Sequence, residues 1–237
     1  MRTALALSPC LLLALTGCHV EVGEKAGPAT TDHSVIELDK AEIVHTKFSM
    51  GVGELVVQGG AKKLMEADFT YSIPSWKPKV SYDSTGFRGN LTIEQPSTVK
   101  GINTNVNEYK WAVKLNDAAA QDVELNLGVG SAHVDLSTIN IRSVEVKVGV
   151  GEVELNLRGK PKKDYSVNIH GGIGEARILL PKDVAVVADV TGGLGNIEVI
   201  GLKKEGGRYV NEAFKNGPTM IRINVEGGIG GVKLLSE

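Results

Sequence analysis

The residue types that most often carry catalysis are present in this chain, but their spacing does little to unite them. The five histidines, His19, His33, His45, His133 and His170, show no HxH, HxxxH or HExxH pattern, so nothing in their spacing suggests a zinc site. No serine sits in a G-x-S-x-G elbow. Two carboxylates do fall into register. Glu152 and Glu175 occupy equivalent places in an outward column that reads Glu54, Ser131, Glu152, Glu175, Asn196 and Gly231. Neighbouring carboxylates can raise one another's pKa, as a glycan-active β-helix enzyme would require, although such pairs on a solvated strand are more often plain surface. The recurrent Gly-x-Gly lacks the third glycine and the following helix of a phosphate loop. The segments GGIGE, GGLGN and GGIGG echo a calcium-binding β-roll but lack its aspartate, and their period is about 21 residues rather than nine. The expectation is no enzyme, no cofactor and no metal.

A different chemistry is concentrated between Gly201 and Pro218. There Lys203, Lys204, Arg208 and Lys215 are interleaved with Tyr209 and Phe214, a composition suited to an anionic envelope polysaccharide or a partner protein. The same segment would serve equally well as a folded-over loop whose Tyr209 and Phe214 cover the flank of the fold.

These residues are carried by an internal repeat. The copies run VELNLGVGSAHVDL from Val123, VEVKVGVGEVELNL from Val144, VNIHGGIGEARILL from Val167, ADVTGGLGNIEVI from Ala188 and INVEGGIGGVKLL from Ile223; a more distant copy is FSMGVGELVV from Phe48. Measured at the glycine opening each Gly-x-Gly, the steps from Gly128 through Gly149, Gly172 and Gly193 to Gly228 are 21, 23, 21 and 35 residues. Near-constant spacing predicts stacked coils, and the excess in the last step is the 201–218 insertion; insertions of this kind map to loops on one face.

Within each copy apolar residues alternate up to the glycines and resume after a gap of three, as in Val144, Val146, Val148, Val150, then Val153, Leu155 and Leu157. That phase slip predicts strand, bend, strand, with the added residue turning a corner at glycine. Three columns are expected to form a dry interior: Val123, Val144, Val167, Ala188, Ile223; then Leu125, Val146, Ile169, Val190, Val225; and the bend column Val129, Val150, Ile173, Leu194, Ile229. In chain order the outer column His133, Glu154, Arg177, Glu198, Lys233 alternates in sign once His133 is cationic, which predicts a cross-strand ladder.

Between the early copy and the regular ones, alternations at Ala67–Ile73, Val80–Tyr82, Leu91–Ile93 and Trp111–Leu115 break the period. They predict an antiparallel region closing the N-terminal end of the stack, where a solenoid needs its edge covered. Trp76, Trp111, Tyr71 and Tyr82 gather there, either as the core of the cap or as an aromatic binding surface.

The N-terminus adds a separate signal. Arg2 precedes the apolar run Ala4–Ala14, which is too short to span a bilayer, and Leu15-Thr16-Gly17-Cys18 follows at once, the layout of a secretory leader over residues 1–17. The tetrapeptide resembles the lipobox of bacterial lipoproteins, which implies acylation of Cys18 and membrane attachment through it. His19 is not the Asp that retains such proteins at the inner membrane, so the resemblance points to the outer membrane of a diderm envelope. Residues 18–34 read as a flexible tether, and 35–237 as one domain, with the early copy and cap in 35–122 and the five regular copies in 123–237. Cys10 falls in the leader and Cys18 carries lipid, so no thiol remains for catalysis. With 26 basic against 28 acidic residues and no basic stripe, nucleic acid is not expected as a partner.

The segments from FSMGVGELVVQGG to IEQPS, with LNLGVGSAHVDLS, VKVGVGEVELNL, LPKDV, TGGLGNIEV, GLKKEGGRYVN and VEGGIGGVKL, resemble the toast-rack family of bacterial envelope proteins, itself similar to LiaF-like cell-wall-stress proteins and to adhesin domains. The resemblance implies an all-β, solenoid-like fold of stacked parallel strands and no catalytic residues. It also implies an adhesin-like scaffold or recognition role, or a regulator of envelope stress. LiaF-like members carry transmembrane helices ahead of the domain, where this chain has a lipobox.

Overall fold

The computed structural model describes residues 26–96 and 108–237. The expected leader, Cys18, the tether up to Lys25 and the polar run 97–107 lie outside the described residues. In chain order the strands are β1 Thr30–Ile36, β2 Ile43–Gln58, β3 Met65–Tyr71, β4 Lys79–Thr85, β5 Arg88–Glu94, β6 Tyr109–Leu115, β7 Ala120–Asp135, β8 Ile141–Asn156 and β9 Tyr165–Leu180. They continue with β10 Ala185–Leu194, β11 Ile197–Ile200, β12 Lys203–Glu205, β13 Arg208–Val210 and β14 Met220–Ser236.

Each regular coil is one long strand bent at its glycines. A straight strand of 16 residues such as β7 would measure about 50 Å. The next strand runs parallel to it and in register, yet only residues 136–140 return the chain, a reach of about 20 Å. The two halves of the strand must therefore fold back on one another at the bend. The molecule acquires two unlike edges, a bend edge of Gly-x-Gly corners and a turn edge of polar return loops.

Between the halves lies the core. Val123, Val144, Val167, Ala188 and Ile223 from one side meet Val134, Leu155, Ile178 and Leu234 from the other, all buried. The phase slip is a backbone event: Gly174 adopts φ +142°, and a Cβ there would overlap the carbonyl oxygen of Gly151 on the rung beneath, as one on Gly151 would overlap that of Gly130. Glycine is required at this position both for φ and for the close approach of rung to rung.

Two expectations about the stack are corrected. The bend column does not enter the interior: Val129, Val150, Ile173 and Ile229 are 49%, 44%, 53% and 55% exposed. The added residue that turns the corner points its side chain outward, so the slip changes face where inward continuity was expected. The coils also do not stack in chain order. Strand β14 lies between β9 and β10, giving the order β2-β7-β8-β9-β14-β10. The charge column consequently reads His133, Glu154, Arg177, Lys233, Glu198. Arg177 pairs with Glu154 at 3.6 Å, but its other neighbour is Lys233, which turns to Glu175 at 2.7 Å. The predicted alternation is broken by the insertion of β14.

A third change occurs under the bend. The last inward residue before the corner is Met50, Leu127 and Val148 in the first three coils, all buried, but Gly171, Gly227 and Gly192 in the outer three. A mainly apolar hollow of about 70 Å³ results, lined by Val148, Val153, Ile169, Val225 and Val232 among the glycines, with Glu175 and Asn196 also in its wall.

The N-terminal cap is antiparallel in part, as expected. The first half of β2 pairs in parallel with β5, which forms an antiparallel hairpin with β4, and the second half pairs in parallel with β6. From β6 the sheet continues antiparallel through β3 to β1. Strand β1 starts at Thr30, inside the stretch expected to be tether, so folded sequence begins before Val35. Phe69 and Trp111 meet edge to face at 5.8 Å, and Trp76 and Tyr109 at 5.3 Å, with all four buried. The aromatics, with half-buried Tyr82, are the interior of the cap and not a binding surface.

The two kinds of glycine in one bend should behave oppositely. Gly174→Ala is expected to cost about 2 to 5 kcal/mol in urea denaturation through strained backbone and overpacking. Gly171→Ala, whose Cβ meets nothing within 4 Å, is expected to be neutral or to stabilise by about 0.4 to 1 kcal/mol.

Candidate interaction site

The insertion 201–218 is a built element of the stack's end. After β11 the chain turns back in the hairpin β12–β13, and β13 adds antiparallel to β10 through Val187↔Val210 and Ala188↔Tyr209. A 3-10 turn at Glu212–Lys215 then carries it to β14. The extra length is what lets β14 cross behind β10 and enter beside β9. Val210 and Asn211 are buried. Asn211 Oδ1 accepts from the Val186 N–H at 3.0 Å, while Nδ2 donates to the carbonyls of Val184 at 2.7 Å, Pro181 at 3.2 Å and Lys182 at 3.3 Å. This one side chain fastens the insertion to the loop between β9 and β10. No periodic signal marks it in the sequence, because it serves a connection and not a rung.

Of the residues expected to form an interaction loop, the structure brings together Lys203, Lys204, Arg208 and Tyr209 on the hairpin, with Phe214 and Lys215 on the turn. Two of the four basic residues are paired with carboxylates within the fold. Arg208 Nε lies 3.1 Å from Asp189, Lys215 Nζ lies 3.6 Å from Glu205, and Lys204 Nζ sits 5.5 Å from the Tyr209 ring centroid. Tyr209 is half-buried against the core and Phe214 is half-buried. The segment covers the edge of β10, as the folded-over alternative required, and leaves Lys203 and Lys204 exposed. The end of the insertion is tied down as well: Asp164 accepts from the Met220 N–H at 2.9 Å and from Arg222 at 3.0 Å, and these bonds hold its carboxyl below the usual aspartate range.

The hairpin covers only half of this end. It pairs with β10, ahead of the bend, whereas β11, after the bend, pairs with β14 alone among the described residues. Ile197 and Ile200 of β11 are 39% and 46% exposed. The result is a short open strand edge flanked by apolar side chains, a feature that accepts an added strand.

The remaining candidates are separate from it. Glu152 and Glu175 are register partners on the outer face, and Glu175 is held by Lys233. His45 faces Glu124 at 3.4 Å, His170 faces Glu226 at 3.0 Å and His33 faces Asp68 at 2.9 Å, while exposed His133 stands in the outer column. Among the described residues no group of three or more His, Cys, Asp or Glu side chains is placed to hold a metal ion. His19 lies outside the described residues.

Comparison with known proteins gives a consistent picture. The N-terminal domain of toast-rack proteins matches residues 25–179, and the C-terminal domain of LiaF, of the cell wall-active antibiotics response, matches residues 128–234. A solved structure from Clostridium sporogenes, provisionally named a cell adhesion protein, is 33% identical and superposes with a TM-score of 0.85, covering 88% of this chain and all of that one, 100%. A provisionally named adhesin from Parabacteroides merdae is 17% identical over 91% of this chain and 100% of its own, with a TM-score of 0.29. No protein of curated function matches the chain.

Two outcomes test the insertion. Asn211→Ala is expected to cost about 2 to 4 kcal/mol, because it leaves buried backbone groups unpaired, while Ala at Lys203 or Lys204 should change stability by no more than about 0.5 kcal/mol. Asp164 has a depressed pKa in the fold, so its contribution is present above the ordinary aspartate range and is lost as pH falls through the lowered value. Urea midpoints followed from pH 6 down to about pH 2 should therefore fall less steeply for Asp164→Asn than for the parent chain.

Proposed function

The chain belongs to the toast-rack family, and on that premise we propose that it is a non-enzymatic recognition module of the bacterial cell envelope, held to a membrane through Cys18. The observation that carries this reading is the open edge of β11, with Ile197 and Ile200 beside it, at an end whose other half is closed by the insertion hairpin. An open strand edge with apolar side chains beside it suits strand addition by an extended segment of another envelope protein, in which main-chain bonds supply affinity and side-chain pockets supply choice. The adhesion-type name of the C. sporogenes relative supports a binding role. The basic and aromatic residues of the insertion, Lys203 to Lys215, would flank an arriving partner; an anionic polysaccharide would meet chiefly Lys203 and Lys204, since Arg208 and Lys215 are paired with carboxylates.

Anchoring follows from Leu15-Thr16-Gly17-Cys18. Two acyl chains on one residue give stable attachment where a single chain is reversible, and His19 in place of Asp favours the outer membrane in a diderm host. A second reading, a regulator of envelope stress, is favoured by the match to the LiaF C-terminal domain over residues 128–234.

The test is crosslinking from the anchored protein in intact cells with identification of what is captured. Ile197→Lys with Ile200→Lys should abolish a specific crosslink without lowering the melting temperature; an unchanged capture pattern would sink the strand-edge reading. Labelled palmitate should enter the parent and not Cys18→Ser. Altered induction of the response to cell wall-active antibiotics in a deletion strain, with no edge-dependent partner, would favour the regulator.

A further inference from the structure

The bend edge is the least ordinary surface of the molecule. Register pairs Val52↔Val129, Val129↔Val150, Val150↔Ile173 and Ile173↔Ile229 place one aliphatic residue per coil in an unbroken line, with neighbours about 4.8 Å apart. From Val129 to Ile229 about half of each side chain is exposed. Each is flanked on both sides by glycine, as in Gly128-Val129-Gly130 and Gly172-Ile173-Gly174, and the column Ser131, Glu152, Glu175 stands two residues beyond it. Behind the outer part of the line is the apolar hollow left by Gly171, Gly192 and Gly227. A bare aliphatic ridge of this kind marks a surface of interaction. The opposite, turn edge carries Lys160, Lys162, Lys163, Asp164, Lys182 and Asp183, so the two edges differ sharply in polarity.

The chain's entry point says what covers the ridge. The N–H of Gly27 donates to the Ser72 carbonyl, and that of Ser72 to the Glu108 carbonyl. Glu108 precedes Tyr109, whose ring and carbonyl lie against Gly53 in the bend of β2. Ala26 and Gly27 therefore leave the fold at the bend edge, not the turn edge. From Cys18 to Ala26 the chain can span at most about 28 Å. An acylated Cys18 would keep the entry point, on the bend edge, within that distance of the bilayer.

We propose that the bend edge is a membrane-contact surface: the ridge Val129, Val150, Ile173 and Ile229 rests among lipid headgroups, and the glycine-lined hollow takes up lipid hydrocarbon. This rests on the reading of Cys18 as the anchor. The ridge adds a second, weak attachment to the first, and together they set the orientation of the protein, leaving the β11 edge at the far end of the stack accessible from the side. Rung-to-rung pairing holds on both sides of the first corner glycine, as at Leu127↔Val148 and Val129↔Val150, which limits the unpaired backbone that the bend presents to an interfacial layer.

The test places an environment-sensitive fluorophore on Val150→Cys, Ile173→Cys or, as turn-edge control, Lys162→Cys. One arm uses the acylated protein reconstituted in phosphatidylethanolamine and phosphatidylglycerol vesicles. The other uses Cys18→Ser chain whose leader is replaced by a histidine tag bound to nickel-chelating vesicles, so the ridge is examined whether or not Cys18 is acylated. The expected result in both arms is a blue shift on adding vesicles and quenching by spin-labelled lipid at least severalfold greater at Val150→Cys and Ile173→Cys than at Lys162→Cys. Equal quenching at all three positions overturns the proposal, with the anchor judged separately by palmitate incorporation. Probes already blue-shifted without vesicles also overturn it, since the ridge would then be covered by protein; sedimentation identifies a second copy as the cover.

Discussion

The approach of one glycine corner to the next is the contact on which the rest of the molecule depends. At the bend the Cα of each coil lies against the carbonyl of the coil beneath, at a distance that leaves no room for a Cβ at Gly130, Gly151, Gly174 or Gly230. This closeness keeps the coils in register through the corner. Register in turn aligns the two half-strands so that their apolar faces meet, because a slip of one residue would turn every inward side chain outward. The long strands, the sealed core and the in-line aliphatic ridge are consequences of the same packing.

A stack held together in this way has two ends, and the chain treats them differently. At the N-terminal end the first coil is completed by two separate strands, β5 and β6, over an aromatic interior around Trp111. At the other end the chain overshoots, lays down β10 and β11, and then returns to insert β14 inside them. The insertion is long because this route is long, and it is held to β10 by Arg208 on Asp189 and by the pairing of Tyr209 and Val210 with Ala188 and Val187. What it leaves open is the edge of β11, with Ile197 and Ile200 beside it.

The surfaces follow a division of labour set by geometry. Side faces of the coils carry paired charges in modest, solvent-screened bridges; the turn edge is polar; the bend edge is aliphatic and glycine-lined. The chain enters the fold at the bend edge, and the open strand β11 lies at the opposite end of the stack from β1.

Much of this was legible in the sequence. A period near 21 residues with a phase slip at Gly-x-Gly determined stacked, bent strands, the family resemblance implied that they run parallel, and the alternating columns around Val144 and Val146 determined which faces are buried, because strand side chains have a period of two. The aperiodic aromatic stretch announced a cap, and the long last step announced an insertion. Only the tertiary structure decided three things. Bend residues such as Ile173 point outward, because the slipped residue sits at the outside of a turn whose direction the pattern does not encode. Strand β14 intervenes between β9 and β10, because pairing is chosen by the fit of faces in space and chain order does not fix it. Asn211 holds the insertion, because a single buried side chain acting on distant carbonyls leaves no periodic trace.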